Sequence, residues 1–239
     1  MSEQNKIGYN KTALELISSL TSINQSVAFE RHADDEDRII SRAGDVNQSI
    51  VYIFDAPKEV FDFTGDECSF YNYNEFFTLL SIFEDPDLVQ DDVEITVSEA
   101  RSKIKYRLTD SELIKKGFTT VKFGEPDVSF VMDYELIKKI RTLSGGSNIN
   151  ADRIKFTVSD NTLNYRLYNT KHHNTFDETL DLSDAEDEDF QIEVDMKIWN
   201  KIPMASYNVN LKEDGILELD MIREDDISVK IYTADMDDD

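Results

Sequence analysis

The chain has 239 residues, 40% hydrophobic and 10% aromatic, which is too apolar for a disordered polymer and long enough for one large domain or two small ones. Fifty acidic against 25 basic residues leave a formal charge of −25, so the surface as a whole repels nucleic acid and any phosphate-binding face needs segregated bases. No apolar run reaches the length of a membrane span, Met1-Ser2-Glu3-Gln4-Asn5 lacks the regions of a secretory signal, and a lone Cys68 excludes an internal disulfide; a folded cytoplasmic protein with a buried structural thiol is expected.

The first helix starts at Asn10, a good N-cap. It carries Ala13, Leu14, Leu16, Ile17 and Leu20 on one stripe, with Lys11, Glu15, Ser18 and Ser22 opposite. Strands are predicted at 27–30, 38–42 and 49–55, between polar turns such as Asp34-Asp35-Glu36-Asp37. A strand through Phe70 runs into an aromatic helix over 74–83 with Asn74, Glu75, Thr78 and Ser81 on its polar face, and Asp85-Pro86-Asp87 stops it. Strands at 93–97 and 101–108 close this half.

From 109 to 126 the periodicity fails. Leu113, Ile114 and Phe118 mix with Lys115, Lys116 and Gly117, which reads as a connector with a strand near Val121. The next helix, 134–143, places Leu136, Ile137, Ile140 and Leu143 inward and Lys138, Lys139, Arg141 and Thr142 toward solvent, ending at Gly145-Gly146. Strands follow at 153–158, 163–168, 175–182 and 190–194, then a short helix around Lys197, Ile198 and Lys201, then strands at 208–212, 216–221 and 227–233. The expected division is 1–109, a connector 110–126, and 127–239.

The two halves repeat one another. The strand-to-helix run from Cys68 to Ile82 is echoed roughly 120 residues on by the run from Phe190 to Ile202, and the helix of 12–23 by that of 134–143. Duplication suits a scaffold that presents helices in a repeated geometry better than it suits one catalytic pocket. Nothing catalytic competes: His32, His172 and His173 have no metal-ligand spacing, the acidic run 184–195 has Asp189 where a calcium loop needs glycine, and no phosphate-cradling loop or activated nucleophile stands out. A non-enzyme without metal or cofactor is expected.

This order of elements, with Thr12-Ala13-Leu14, Thr21-Ser22-Ile23-Asn24 and Tyr73-Asn74-Glu75-Phe76-Phe77-Thr78-Leu79-Leu80-Ser81-Ile82, resembles the processivity fold of DNA sliding clamps, in particular those of T-even-like tailed phages. The end after Tyr232-Thr233-Ala234 also resembles the proliferating cell nuclear antigen type. The resemblance implies an α+β fold of two duplicated clamp domains, antiparallel sheets outside and two helices each inside, closed head to tail as a homotrimer around duplex DNA. It also implies loading by an ATP-dependent clamp loader and tethering of the replicative DNA polymerase. The 57–65 loop and the acidic insertion near Ala185 depart from the phage pattern.

A sliding ring needs non-specific attraction to phosphate, and Lys11, Lys138, Lys139, Arg141, Lys197 and Lys201 are the candidate DNA-facing residues. The plain alternative is the solvated side of an amphipathic helix. Along 101–108, Arg101, Lys103, Lys105 and Arg107 alternate with Ile104, Tyr106 and Leu108. The resemblance pairs this strand, between subunits, with 175–182, where Asp177 and Asp181 share one face and Phe176, Leu180 and Leu182 the other. The alternative is an edge kept from aggregating by its lysines. The resemblance further implies a partner-peptide groove with Ile40, Leu113, Ile114, Phe118, Ile231, Tyr232 and Ala234 as candidate walls. An acidic protein that mimics DNA is the rival reading from another class; it predicts neither basic helix faces nor duplication.

Overall fold

Asn10 opens helix α1 (Lys11–Leu20): its side chain accepts from the Ala13 amide at 3.2 Å, satisfying a donor that the first turn leaves over. The stripe Ala13, Leu14, Ile17 and Leu20 is buried, with Leu16 at its half-buried margin. Around it the first half builds β1 (Lys6–Ile7), β2 (Val27–His32), β3 (Asp35–Gly44), β4 (Ile50–Pro57), β5 (Glu67–Phe70), helix α2 (Tyr73–Ser81), β6 (Asp87–Gln90), β7 (Glu94–Glu99) and β8 (Ser102–Arg107). Asn72 caps α2 through the Glu75 amide.

The second half repeats the order with β9 (Val128–Met132), α3 (Tyr134–Gly145), β10 (Arg153–Ser159), β11 (Thr162–Tyr168), β12 (Thr175–Asp181), β13 (Phe190–Asp195), α4 (Met196–Trp199), β14 (Tyr207–Lys212), β15 (Ile216–Met221) and β16 (Ser228–Ala234). The structure, a computed structural model, describes residues 6–114, 121–145, 149–159, 162–182 and 189–234. The chain forms two compact units, Met1–Thr119 with Asp225–Ser228, and Thr120–Glu224 with Val229–Asp239.

Strand order shows the duplication directly. The first unit runs β1-β6-β7-β8 and β5-β2-β3-β4; the second runs β9-β14-β15-β16 and β13-β10-β11-β12, each strand standing where its counterpart stands. Neighbours within each unit pair antiparallel, as in Val27↔Phe70 beside Arg153↔Asp195, and Glu94↔Arg107 beside Asp220↔Lys230. Helices α1 and α3, strands β5 and β13, and helices α2 and α4 start at one constant offset of 123 residues (134 − 11, 190 − 67, 196 − 73).

Each unit buries its own core. In the first, Phe29, Phe61, Phe63, Phe70, Tyr73 and Phe76 interlock with ring centroids 4.6–6.5 Å apart, and Tyr106 of β8 joins them beside Phe70 and Phe76. Each such ring contributes about 1.5–3 kcal/mol by leaving water, and edge-on or offset contacts add to that. In the second, Trp199 of α4 packs on Phe156 of β10 at 5.7 Å, and Phe156 on Phe130 of β9 at 6.3 Å. Cys68 is buried, and desolvation pushes its thiol pKa far up, which makes it an inert core group as expected.

Four elements differ from the sequence reading. Residues 121–124 form no strand, and the strand lies further on at Val128–Met132. Strands β1 and β6 were not expected: one has two residues and the other follows directly on Pro86, too short for a period of two to register. Helix α4 ends at Trp199, so Lys201 sits in the turn after it rather than on the helix.

Candidate functional site

The candidate DNA-facing cations divide by what holds them. Lys138 and Lys197 are exposed; the nearest acid to the Lys138 ammonium is Glu135, one turn earlier at 3.6 Å, with both side chains more than half exposed. Lys139 is bound at home: its ammonium lies 2.6 Å from Glu178 of β12 and 5.1 Å from the Phe176 ring centre. That contact, with the Tyr165 hydroxyl on the same carboxylate, holds the Glu178 pKa below its ordinary value. Lys201 is half-buried.

Two candidates are held by backbone carbonyls. Arg141 does not reach into solvent: it is half-buried, donates to the Ile202 carbonyl beyond α4, leaves its Nε buried without a partner, and has its pKa lowered by desolvation. Its helical position is outward, but the long side chain folds back along the surface and ties α3 to the turn after α4. Lys11 donates to the Phe83 carbonyl at 3.0 Å, so it closes the end of α2. The polar face of α2 is also partly spent internally, because Asn74 bridges Ser18 and Thr21 of the α1 segment at 2.6 Å each.

The predicted subunit edges are both terminal strands of four-stranded sheets, β8 in the order β1-β6-β7-β8 and β12 in the order β12-β11-β10-β13. On β8 the alternation is as expected: Lys103, Lys105 and Arg107 are exposed, as is Arg101 just before the strand, and Tyr106 is buried with its hydroxyl on the Asn72 carbonyl at 2.9 Å. Lys105, however, is paired with Glu94 of the adjacent strand. On β12, Asp177 is paired with Arg166 of β11 at 2.5 Å, and Phe176 and Leu180 are half-buried, with the Phe176 ring 6.1 Å from Tyr165. Asp181 pairs with Thr162 in the backbone register, and its side chain lies outside the described ones. The charge match therefore narrows to Arg101, Lys103 and Arg107, which Glu94 does not hold.

Of the predicted groove walls, Ile40 and Ile114 are 6% exposed and Ile231 is 0% exposed, so all three are core, which corrects their assignment. Tyr232 is 9% exposed beneath Phe123, 6.0 Å away, and Ala234 is exposed. Phe118 lies outside the described residues. Among the described residues of the connector, Leu113 is the large apolar one that is strongly exposed, at 73%, and it shares a cavity of about 410 Å³ with Ile23, Gly44, Val46 and Tyr71. Val46 and Tyr71, 85% and 61% exposed, were missed by the sequence reading. Val46 carried a signal, an apolar residue inside the polar stretch Asp45 to Ser49, whereas Tyr71 is hidden in an aromatic run.

No protein-family model and no curated protein matches the chain. Solved structures do. The chain is similar to A. fulgidus PCNA, solved with the C-terminal region of FEN-1 bound, at 14% identity and a TM-score of 0.72, covering 99% of this chain and 100% of that one. It is similar to the proliferating cellular nuclear antigen of Entamoeba histolytica at 14% identity and 0.73, covering 98% and 100%. A third match is PCNA from Thermococcus kodakaraensis, at 14% and 0.71 over 97% and 99%. The fold is thus that of the PCNA-type clamps, with both domains of the duplication present.

Proposed function

We propose that this protein is a sliding clamp: a homotrimer that encircles duplex DNA without reading its sequence and tethers a replicative DNA polymerase, placed on the template by an ATP-driven clamp loader. The observation that carries the reading is the repeated strand order of the two units, which matches the PCNA-type structures over 97–99% of the chain. The sheet-terminal strands β8 and β12 supply the two ends that a head-to-tail ring joins. Backbone pairing provides the bond, and Arg101, Lys103 and Arg107 set its direction against an acidic partner edge.

In this reading Lys138 and Lys197 supply the mobile phosphate contacts, with Lys201 beside them. A few exposed ammonium groups on an otherwise acidic protein attract DNA without stalling it, because phosphate contacts carry no sequence information. On the phage-type resemblance the protein works in the cytoplasm of a bacterial host, and the exposed Leu113, Val46 and Tyr71 are where a polymerase peptide docks.

Primer extension on a primed circular template tests this. With a T-even-type polymerase, its loader and ATP, the protein lengthens the product made per polymerase binding event; omission of either loader or ATP abolishes the gain. Equal product length with and without the protein contradicts the reading.

A further inference from the structure

Helices α1 and α3 are copies in register as well as in order. At the constant offset of 123 residues, Asn10 and Asp133 precede the two helices, and their side chains accept from the amides of Ala13 and Leu136 at 3.2 and 2.8 Å. Leu14 and Ile137 are buried at the same position, and so are Ile17 and Ile140. The last turns match too: Thr21 and Ser144 are buried, and each hydroxyl donates to the carbonyl three residues earlier, at 2.7 and 3.0 Å.

On this shared frame the solvent face changes sign. Lys138 falls at the position of Glu15, and both are exposed. Helices α2 and α4 are in register through Phe76 and Trp199, both fully buried, and there Lys197 falls at the position of Asn74 and Lys201 at that of Thr78. Glu75, exposed next to Asn74, adds a second carboxylate to the first unit's helix pair, which Asn74 joins through Ser18 and Thr21. A solvated helix face folds with either sign, so folding alone does not account for the reversal.

We propose that Glu15 keeps the first unit from gripping DNA: the helix face of the second unit attracts phosphate, its copy in the first unit repels it, and contact is confined to alternate units. The inference rests on the proposed clamp, in which the helices of both units face the duplex. Phosphate contacts hold DNA without regard to sequence, and their number sets both the strength of the hold and its dependence on salt. Basic faces on every unit would hold the backbone continuously. Basic faces on every second unit, separated by faces that bear a carboxylate, leave the duplex free to pass from one contact to the next. Repulsion built into a binding surface limits affinity as directly as a missing contact does.

The test measures duplex binding by the full chain as a function of salt. Glu15→Lys copies Lys138 into the first unit and, in three subunits, raises the slope of log K against log salt by up to roughly 2.7, so halving the salt tightens the variant by up to about sixfold more than the parent. Glu36→Lys, exposed at the start of β3 and off the helices, changes the net charge equally, from −25 to −23 (one acid lost, one base gained), and leaves the slope at the parent's value. Glu15 is exposed and lysine is as good a helix former as glutamate, so Tm is unchanged. Equal slopes for Glu15→Lys and Glu36→Lys overturn the proposal. Lys138→Ala separates it from the reading it rests on. A lowered slope in Lys138→Ala with no rise in Glu15→Lys removes the role of Glu15 alone, and the parent slope in both removes the DNA-facing assignment of the helices and this proposal with it.

Discussion

Lys138 and Lys139 are consecutive, both exposed, and have opposite tasks. The Lys138 pair with Glu135 has side chains 56% and 75% exposed, and a pair of that kind is worth about 0.3–0.5 kcal/mol at most. Lys139 contributes more to folding: its partner Glu178 is 34% exposed and Phe176 lies beneath it. A solvent-screened ion pair plus a surface cation–π interaction amounts to about 1 kcal/mol. For a chain of this size that corresponds to a fall in Tm of about 2–4 °C for Lys139→Ala, with Lys138→Ala within about a degree of the parent. On the proposed clamp reading, DNA binding reverses the ranking. Removing one phosphate-neutralising cation lowers the slope of log K against log salt by about 0.9, so Lys138→Ala in three subunits lowers it by up to roughly 2.7, and Lys139→Ala by far less. Both substitutions take the chain from −25 to −26, so overall charge is matched. Calorimetric melting and salt-dependent fluorescence binding read the two effects. Equal slopes for the two variants, or the larger Tm decrease in Lys138→Ala, refute this division.

On the proposed ring, reversing Lys103 and Arg107 to glutamate leaves a particle of 27.6 kDa in sedimentation, where the parent is expected to sediment as three chains, 82.8 kDa (3 × 27.6); an intact trimer removes the β8–β12 assignment. Lys105→Glu alone has a smaller effect on assembly, because its ammonium is already held by Glu94. Trp199→Ala empties the core position beside Phe156 and costs about 3–5 kcal/mol, read as a lower urea midpoint for the second unit. Burial raises the Tyr52 pKa from 10.0 to about 12. The stability tied to its neutral form is complete below pH 10 and lost as pH rises toward about 12, so phenolate absorbance should show a delayed class of tyrosines that titrates only with unfolding. At the acid end, Glu178 titrates below its ordinary value, so its contribution is present at neutral pH and lost as pH falls, and Lys139→Ala flattens that dependence.

The duplication was legible because it rests on two strong signals, a capped amphipathic helix and an apolar strand running into a second helix, each occurring twice at one offset. The strand Val128–Met132 was not, since its exposed Val131 interrupts the alternation and it abuts an aperiodic connector. Bases were found on α3 by helical spacing, yet spacing fixes only where a Cα faces. Whether a long side chain then meets water, as Lys138 does, or folds back onto a carbonyl, as Arg141 does, depends on the turn after α4, 61 residues further along the chain. The β12 edge shows the same limit: Asp177 lies on the predicted face, but the arginine that neutralises it sits on the neighbouring strand.

Encirclement itself is tested most directly by topology. After loading on a nicked circular plasmid, a closed ring stays with the DNA through a high-salt wash that screens every phosphate interaction, and a single restriction cut releases it from the ends. Release at high salt from the uncut circle, or equal retention on circular and linear DNA, contradicts the ring.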